Sequence, residues 1–154
     1  MTVPCLLLVE DDQDNLEVLA LLLSERYRVA SHASAADALA ALDTSKPDLV
    51  LLDIGMHPVD GFACLAAIRA TPGYETIPAI AVTGFVRDVE RRAILAAGFQ
   101  AMVAKPILDH RELEALIDRL LASSSGRRGA SRYDDSRGAT ADHEPTDGWS
   151  VAAS

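Results

Sequence analysis

Cysteine is scarce in this chain. Cys5 and Cys64 are the only two among 154 residues, and each lies inside an apolar stretch. Two thiols favour small buried hydrophobes in a reducing compartment over a disulfide or a metal site. Basic charge is also short. Lys and Arg number 14 against 23 Asp and Glu, a formal net charge of −9. A phosphate backbone demands a basic footprint, which argues against direct nucleic-acid binding but leaves cation binding open. Long hydrophobic runs are missing: mean hydropathy is +0.13, and no run approaches the ~20 apolar residues of a membrane span. The chain opens MTVPCLLLVEDD, with no basic stretch ahead of Leu6–Val9 and acids directly after it. No signal peptide is expected, and the expected location is cytoplasmic, away from any membrane. What the chain does have is apolar content, 49% of residues, enough to bury the core of one domain.

Composition shifts near Ser123. Residues 124–154 read SSGRRGASRYDDSRGATADHEPTDGWSVAAS, polar and without apolar period. Such a segment buries too little surface to offset its ordering entropy, so a folded domain over 1–123 and a disordered tail over 124–154 are expected. Residues 1–123 carry 18 acids and 10 bases, the tail 5 and 4. The acid excess therefore belongs to the folded part. The tail, which holds Trp149, is too short and too polar to be an output domain.

Five short apolar runs recur: Leu6–Val9, Tyr27–Ala30, Leu49–Leu52, Ile80–Val82 and Met102–Ala104. Helical stripes separate them. Leu16, Leu19, Leu22 and Leu23 form the first; Ala35, Leu39 and Leu42 the second; Phe62, Leu65 and Ile68 the third. Val89, Ile94 and Leu95 form a fourth, and Leu113, Leu116, Ile117, Leu120 and Leu121 a fifth. Short strands alternating with helices indicate an α/β domain, here a five-stranded parallel sheet sandwiched by five helices. Leu49–Leu52 is apolar throughout, as a central strand covered on both faces must be.

Ligands of open parallel sheets bind beyond the carboxyl ends of the strands. Glu10, Asp11 and Asp12 follow the first run, Asp53 the third, Thr83 the fourth and Lys105 the fifth. Carboxylates crowded together repel unless a cation or proton sits among them, and oxygen-only donors suit Mg²⁺ or Mn²⁺. A metal beside a carboxylate, an ammonium and a hydroxyl is the inventory of phosphoryl transfer, in which the carboxylate attacks phosphorus and the cations neutralise oxygen charge. Asp53, at the end of the most apolar strand, is the natural nucleophile.

These residues resemble the receiver domain of bacterial two-component response regulators. The likeness runs from Cys5 to Leu121. It rests on Val9-Glu10-Asp11-Asp12, Leu51-Leu52-Asp53-Ile54 with Asp60-Gly61, Val82-Thr83-Gly84, Ala97-Gly98-Phe99 and Lys105-Pro106. Thr83 lies 30 residues after Asp53, and Lys105 lies 52 after it. The resemblance implies a flavodoxin-like fold of strand order 2-1-3-4-5. It implies that Asp53 takes a phosphoryl group from a phosphohistidine on a histidine kinase or histidine phosphotransfer protein. Mg²⁺ (or Mn²⁺) would be held by Glu10, Asp11, Asp53 and the Gly55 carbonyl. Thr83 would be the switch hydroxyl, Lys105 the phosphoryl contact, Asp12 a loop residue and Lys105–Pro106 a cis peptide. The output would pass to a protein target on the face of the fourth helix, fifth strand and fifth helix, where Val89, Arg91, Arg92, Met102 and Arg111 fall. The chain would be a stand-alone receiver, or the receiver of a hybrid histidine kinase, and a signalling module rather than a turnover enzyme.

Four departures stand out. His57-Pro58 replaces the usual proline after Met56, Met102 replaces the usual aromatic three residues before the lysine, Gly84 replaces alanine, and Phe85 lies two after Thr83. His57 is expected to be a surface loop residue. Two alternatives stay open. One is a pseudo-receiver that signals without phosphorylation. The other is an aspartate-nucleophile phosphatase, which wants a second acid where Gly55 stands.

Overall fold

The computed structural model describes residues 3–84, 87–107 and 109–131, with the side chains of 125–131 left undescribed. Five strands alternate with helices: β1 (Cys5–Val9), β2 (Arg28–His32), β3 (Leu49–Asp53), β4 (Ala79–Thr83) and β5 (Ala101–Ala104). All pairings are parallel, in the order β2-β1-β3-β4-β5. The helices are α1 (Gln13–Leu23), α2 (Ala35–Ala40), α3 (Leu42–Ser45), α4 (Gly61–Arg69), α5 (Asp88–Ala96) and α6 (His110–Ser131). That makes six helices among the described residues where the stripes predict five. The second stripe breaks at Ala41, whose ψ of 3° leaves the helical region, so Ala35 and Leu42 belong to separate short helices.

The two-residue period of the strands sorts the core into two layers. Leu7, Val9, Val50, Leu52, Ala79, Ala81 and Met102 face α2–α5 and pack with Ala38, Leu42, Cys64, Leu65, Ile68 and Ile94. Leu6, Leu8, Leu49, Leu51, Ile80 and Val82 face the other way and pack with Leu16, Leu19 and Leu23 of α1 and Leu113, Leu116 and Ile117 of α6. Every residue of β1, β3 and β4 is buried, which is why these segments read as unbroken apolar runs. Both cysteines are buried and free, and burial pushes the Cys64 thiol up to about 11.

The fourth stripe behaves differently from its expectation. Ile94 is buried, but Val89 is 62% exposed and Leu95 37%. The last helix also departs. It continues through Ser124, which is buried, to Ser131, eight residues past the expected boundary. No proline stands between Arg111 and Glu144, and a helix already packed lengthens without a new nucleation cost. The rest of the expected tail, Trp149 included, lies outside the described residues. Among the described residues no helix is long and apolar enough to cross a membrane.

α3 ends at Lys46, which adopts the left-handed region with φ 48°. A side chain there costs about 1–2 kcal/mol, while glycine's extra chain entropy costs about 0.5–1 kcal/mol. Lys46 is exposed, so Lys46→Gly is expected to raise unfolding stability by about 0.5 kcal/mol. Urea denaturation checks this, and a lower midpoint contradicts it.

Candidate phosphoacceptor and metal site

Register brings the polar residues together. Val9 pairs with Leu52, so Glu10 emerges beside Asp53. Asp53 pairs with Val82, and Thr83 with Ala104, so Thr83 and Lys105 follow on the neighbouring strands. Backbone bonds seal the strand ends: Glu10 N to His32 O at 3.1 Å, Ile54 N to Val82 O at 3.0 Å and Lys105 N to Thr83 O at 2.8 Å.

Carboxylate oxygens of Glu10, Asp11 and Asp53 all lie within 4.8 Å of one another, with Glu10 and Asp53 buried and Asp11 exposed. Lys105 Nζ lies 2.9 Å from Glu10 Oε1 and 3.3 Å from Asp53 Oδ2. Three backbone amides donate into the cluster. Gly55 N reaches Asp53 Oδ1 at 3.1 Å, Asp12 N reaches Glu10 Oε2 at 3.2 Å, and His57 N reaches Asp11 Oδ2 at 3.3 Å. Thr83 is buried and lines the same cleft, of about 580 Å³, with Gly55 and Gly84. Glu10, Asp11, Asp53, Gly55, Thr83 and Lys105 are thus gathered at one place.

The electrostatics follow from the crowding. Burial raises the pKa of Glu10 above its ordinary 4.5, and Asp53 adds to this while Lys105 opposes it. Burial pulls Lys105 down, but its hydrogen bond to Glu10 and the Asp53 charge outweigh that, and its pKa lies above 10.5. One ammonium among three carboxylates leaves net negative charge, and the donors are all oxygens. That donor set fits a hard divalent cation such as Mg²⁺.

Other residues contribute in ways the sequence hides. Asp12 stands in the loop ahead of α1 and is also its N-cap: its side chain accepts from Asn15 N at 3.1 Å at the head of the helix. Asp60 caps α4 in the same way, from Ala63 N at 2.9 Å. An Asp just ahead of a helical stripe is the signal that could have found both. At Gly61 a Cβ would meet the Asp53 carbonyl oxygen at 2.7 Å and Ile54 Cα at 2.9 Å. The start of α4 therefore packs directly on the backbone that carries Asp53. His57 has an exposed side chain, as expected, and only its amide reaches the cluster. The Lys105–Pro106 and His57–Pro58 peptides are both cis. Met102 corrects an expectation: at 1% exposure it belongs to the core and not to the outer face. Phe85 lies outside the described residues.

The profile of the response regulator receiver domain matches residues 6–118, and the chain belongs to that family. An uncharacterized 14.6 kDa protein of Leptolyngbya boryana is 35% identical over 74% of this chain and 87% of its own length. The polar-differentiation response regulator DivK of Brucella ovis is 29% identical over 71% of this chain and 90% of its own. The chain spans 56% of the Streptomyces coelicolor transcriptional regulatory protein AfsQ1, to which it is 36% identical. Among solved structures, the receiver domain of the sensor histidine kinase PA1611 of Pseudomonas aeruginosa carries a magnesium ion in its active-site cleft. It is 29% identical with a TM-score of 0.71, over 79% of this chain and 99% of that one.

The raised pKa of Glu10 has a consequence for stability. The folded chain holds this proton more tightly than the unfolded chain. The stability it contributes is present at low pH and lost as pH rises through the window above 4.5. In Mg²⁺-free buffer, stability should therefore fall more steeply, or rise less, with pH in the wild type than in Glu10→Gln. The slopes can differ by at most about 1.4 kcal/mol per pH unit. Urea unfolding from pH 4.5 to 7 checks it, and equal slopes contradict it.

Proposed function

We propose that this chain is a phosphoacceptor receiver. Asp53 accepts a phosphoryl group from a phosphohistidine on a histidine kinase or histidine phosphotransfer protein. The reading is carried by one observation: the Asp53 carboxylate clusters with two further acids, and one ammonium lies 3.3 Å from it and 2.9 Å from Glu10.

A carboxylate oxygen of Asp53 attacks phosphorus, the phosphorus–nitrogen bond of the donor breaks, and the imidazole leaves with the bonding pair and takes up a proton. Asp53 becomes an acyl phosphate. Gly55 N, bonded to Oδ1, fixes the carboxylate's orientation, so part of the reaction's entropy cost is met before the donor arrives. Lys105 is positioned to follow the charge from Glu10 and Asp53 onto the new phosphoryl oxygens, and the Thr83 hydroxyl to donate to one of them. Glu10, Asp11 and Asp53 would hold a Mg²⁺ or Mn²⁺, with the Gly55 carbonyl as a further ligand. The metal would supply neutralisation of phosphoryl charge.

The phosphoryl group then biases the domain toward one of two arrangements, and a protein partner reads the difference. The reading face is formed by α5, β5 and α6, where Val89, Arg92 and Arg111 are exposed. Such a module signals rather than turns over, in the cytoplasm, through proteins and not through nucleic acid. As a domain, the receiver occupies 1–123, with α6 continuing beyond it.

Incubation with acetyl phosphate and Mg²⁺ followed by intact mass measurement is expected to show one phosphoryl group on the wild type and none on Asp53→Ala. An unmodified wild type, or an adduct that survives Asp53→Ala, overturns the reading.

A further inference from the structure

The two helices of the reading face are held very differently. α6 buries Leu113, Leu116 and Ile117, and polar contacts fasten it to the α1–β2 corner. Tyr27 Oη donates to Asp118 Oδ1 at 2.6 Å and to Glu114 O at 3.3 Å, and Arg26 pairs with Asp118 at 2.8 Å and Glu114 at 3.4 Å. α5 buries only Ile94. Its first turn has no side-chain cap, and the open cleft beside Asp53 runs along Val89, Glu90 and Ala93.

The far end of α5 is gripped. Arg69, the last residue of α4, donates Nη1 to Gly98 O at 2.8 Å and Nη2 to Ile77 O at 2.8 Å and Gln100 Oε1 at 3.1 Å. The same Gln100 oxygen accepts from Ala79 N at 2.8 Å, which ties the grip to the first residue of β4. Gly98 has φ 102°, and a Cβ there would come 2.5 Å from Arg69 Nη1, so the guanidinium occupies the space a side chain would fill. Directly after it, Phe99 is buried at 2%. Met102 is already in the core with Ile94 and Phe99, so no outward side chain at that β5 position waits to swing in.

We propose that Arg69 is the fulcrum of α5: the helix turns about the clamped turn at Gly98 that follows it, while its opposite end, beside the cleft, moves when the site is loaded. The inference rests on the reading of Asp53 as phosphoacceptor. Arg69 acts here as a positioning residue, far from the reacting atoms. Nine residues at 1.5 Å make a lever of about 13 Å, so a tilt of about 10° carries the free end about 2 Å. That displaces Val89 and Arg92 while α6 stays fixed.

The test uses the full chain with Mg²⁺ and beryllium trifluoride, a phosphoryl mimic that is not transferred. Backbone N–H residual dipolar couplings report the orientation of each element. In the wild type the α5 vectors are expected to turn relative to the sheet, while those of Gly98 to Gln100 keep their values. In Arg69→Met, which keeps the apolar stem and removes the donors, Gly98 to Gln100 should turn with the helix. A wild type in which Gly98 to Gln100 turn as far as Val89 to Arg92, or in which α5 does not turn, overturns the fulcrum, and that measurement stands even where the variant does not fold. An Arg69→Met pattern identical to the wild type overturns it too. Absence of any response at the amides of Asp53, Gly55 and Thr83 overturns the phosphoacceptor reading itself, and the fulcrum with it.

Discussion

Glu10, Asp11 and Asp53 meet within 4.8 Å at the end of a sheet whose central strands are dry along their whole length. Two like charges 4 Å apart repel by about 1 kcal/mol in water and by about 4 kcal/mol near a protein surface, so this cluster must be held in place from outside. The apolar strands supply the hold. Leu6 to Val9 and Leu49 to Leu52 are packed on both faces, and neither strand can slip by one residue without turning its core side chains to the wrong layer. Register thus fixes where the acids emerge. Lys105 offsets part of the repulsion, and three backbone amides orient the carboxylates. What remains is a net negative pocket of oxygen donors, which is the condition for recruiting a hard cation.

The same arrangement lets a local charge change reach the surface. Gly61 packs α4 onto the backbone of Asp53, and Arg69 at the other end of α4 grips the end of α5. The site therefore touches one end of α4, and the other end is bonded to the turn that follows α5. α6 is tied to the α1–β2 corner through Tyr27 and Asp118.

Much of this was legible in the sequence, and for a physical reason. Parallel strands buried on both faces are short unbroken apolar runs, and their ligand-binding residues directly follow, so Asp53, Thr83 and Lys105 could be picked out by position alone. Helix faces were less legible. Val89 and Leu95 fit an apolar stripe, yet both are exposed and only Ile94 of α5 is buried. Arg69 was hidden too: its acceptors lie 8 to 31 residues away, and no local pattern encodes such contacts. The place of Met102 in the motif points to the outer face, while the strand period puts its side chain inward with Ala79 and Ala81. The break at Ala41 and the run of α6 to Ser131 turn on backbone angles and packing that composition does not carry.

The central claim is that the acid cluster exists to hold one divalent cation beside Asp53. Crystals grown with millimolar Mn²⁺ and measured at the manganese absorption edge test it directly. The account predicts a single anomalous peak within bonding distance of Glu10, Asp11 and Asp53. No peak there, with manganese absent or bound only elsewhere, would contradict it.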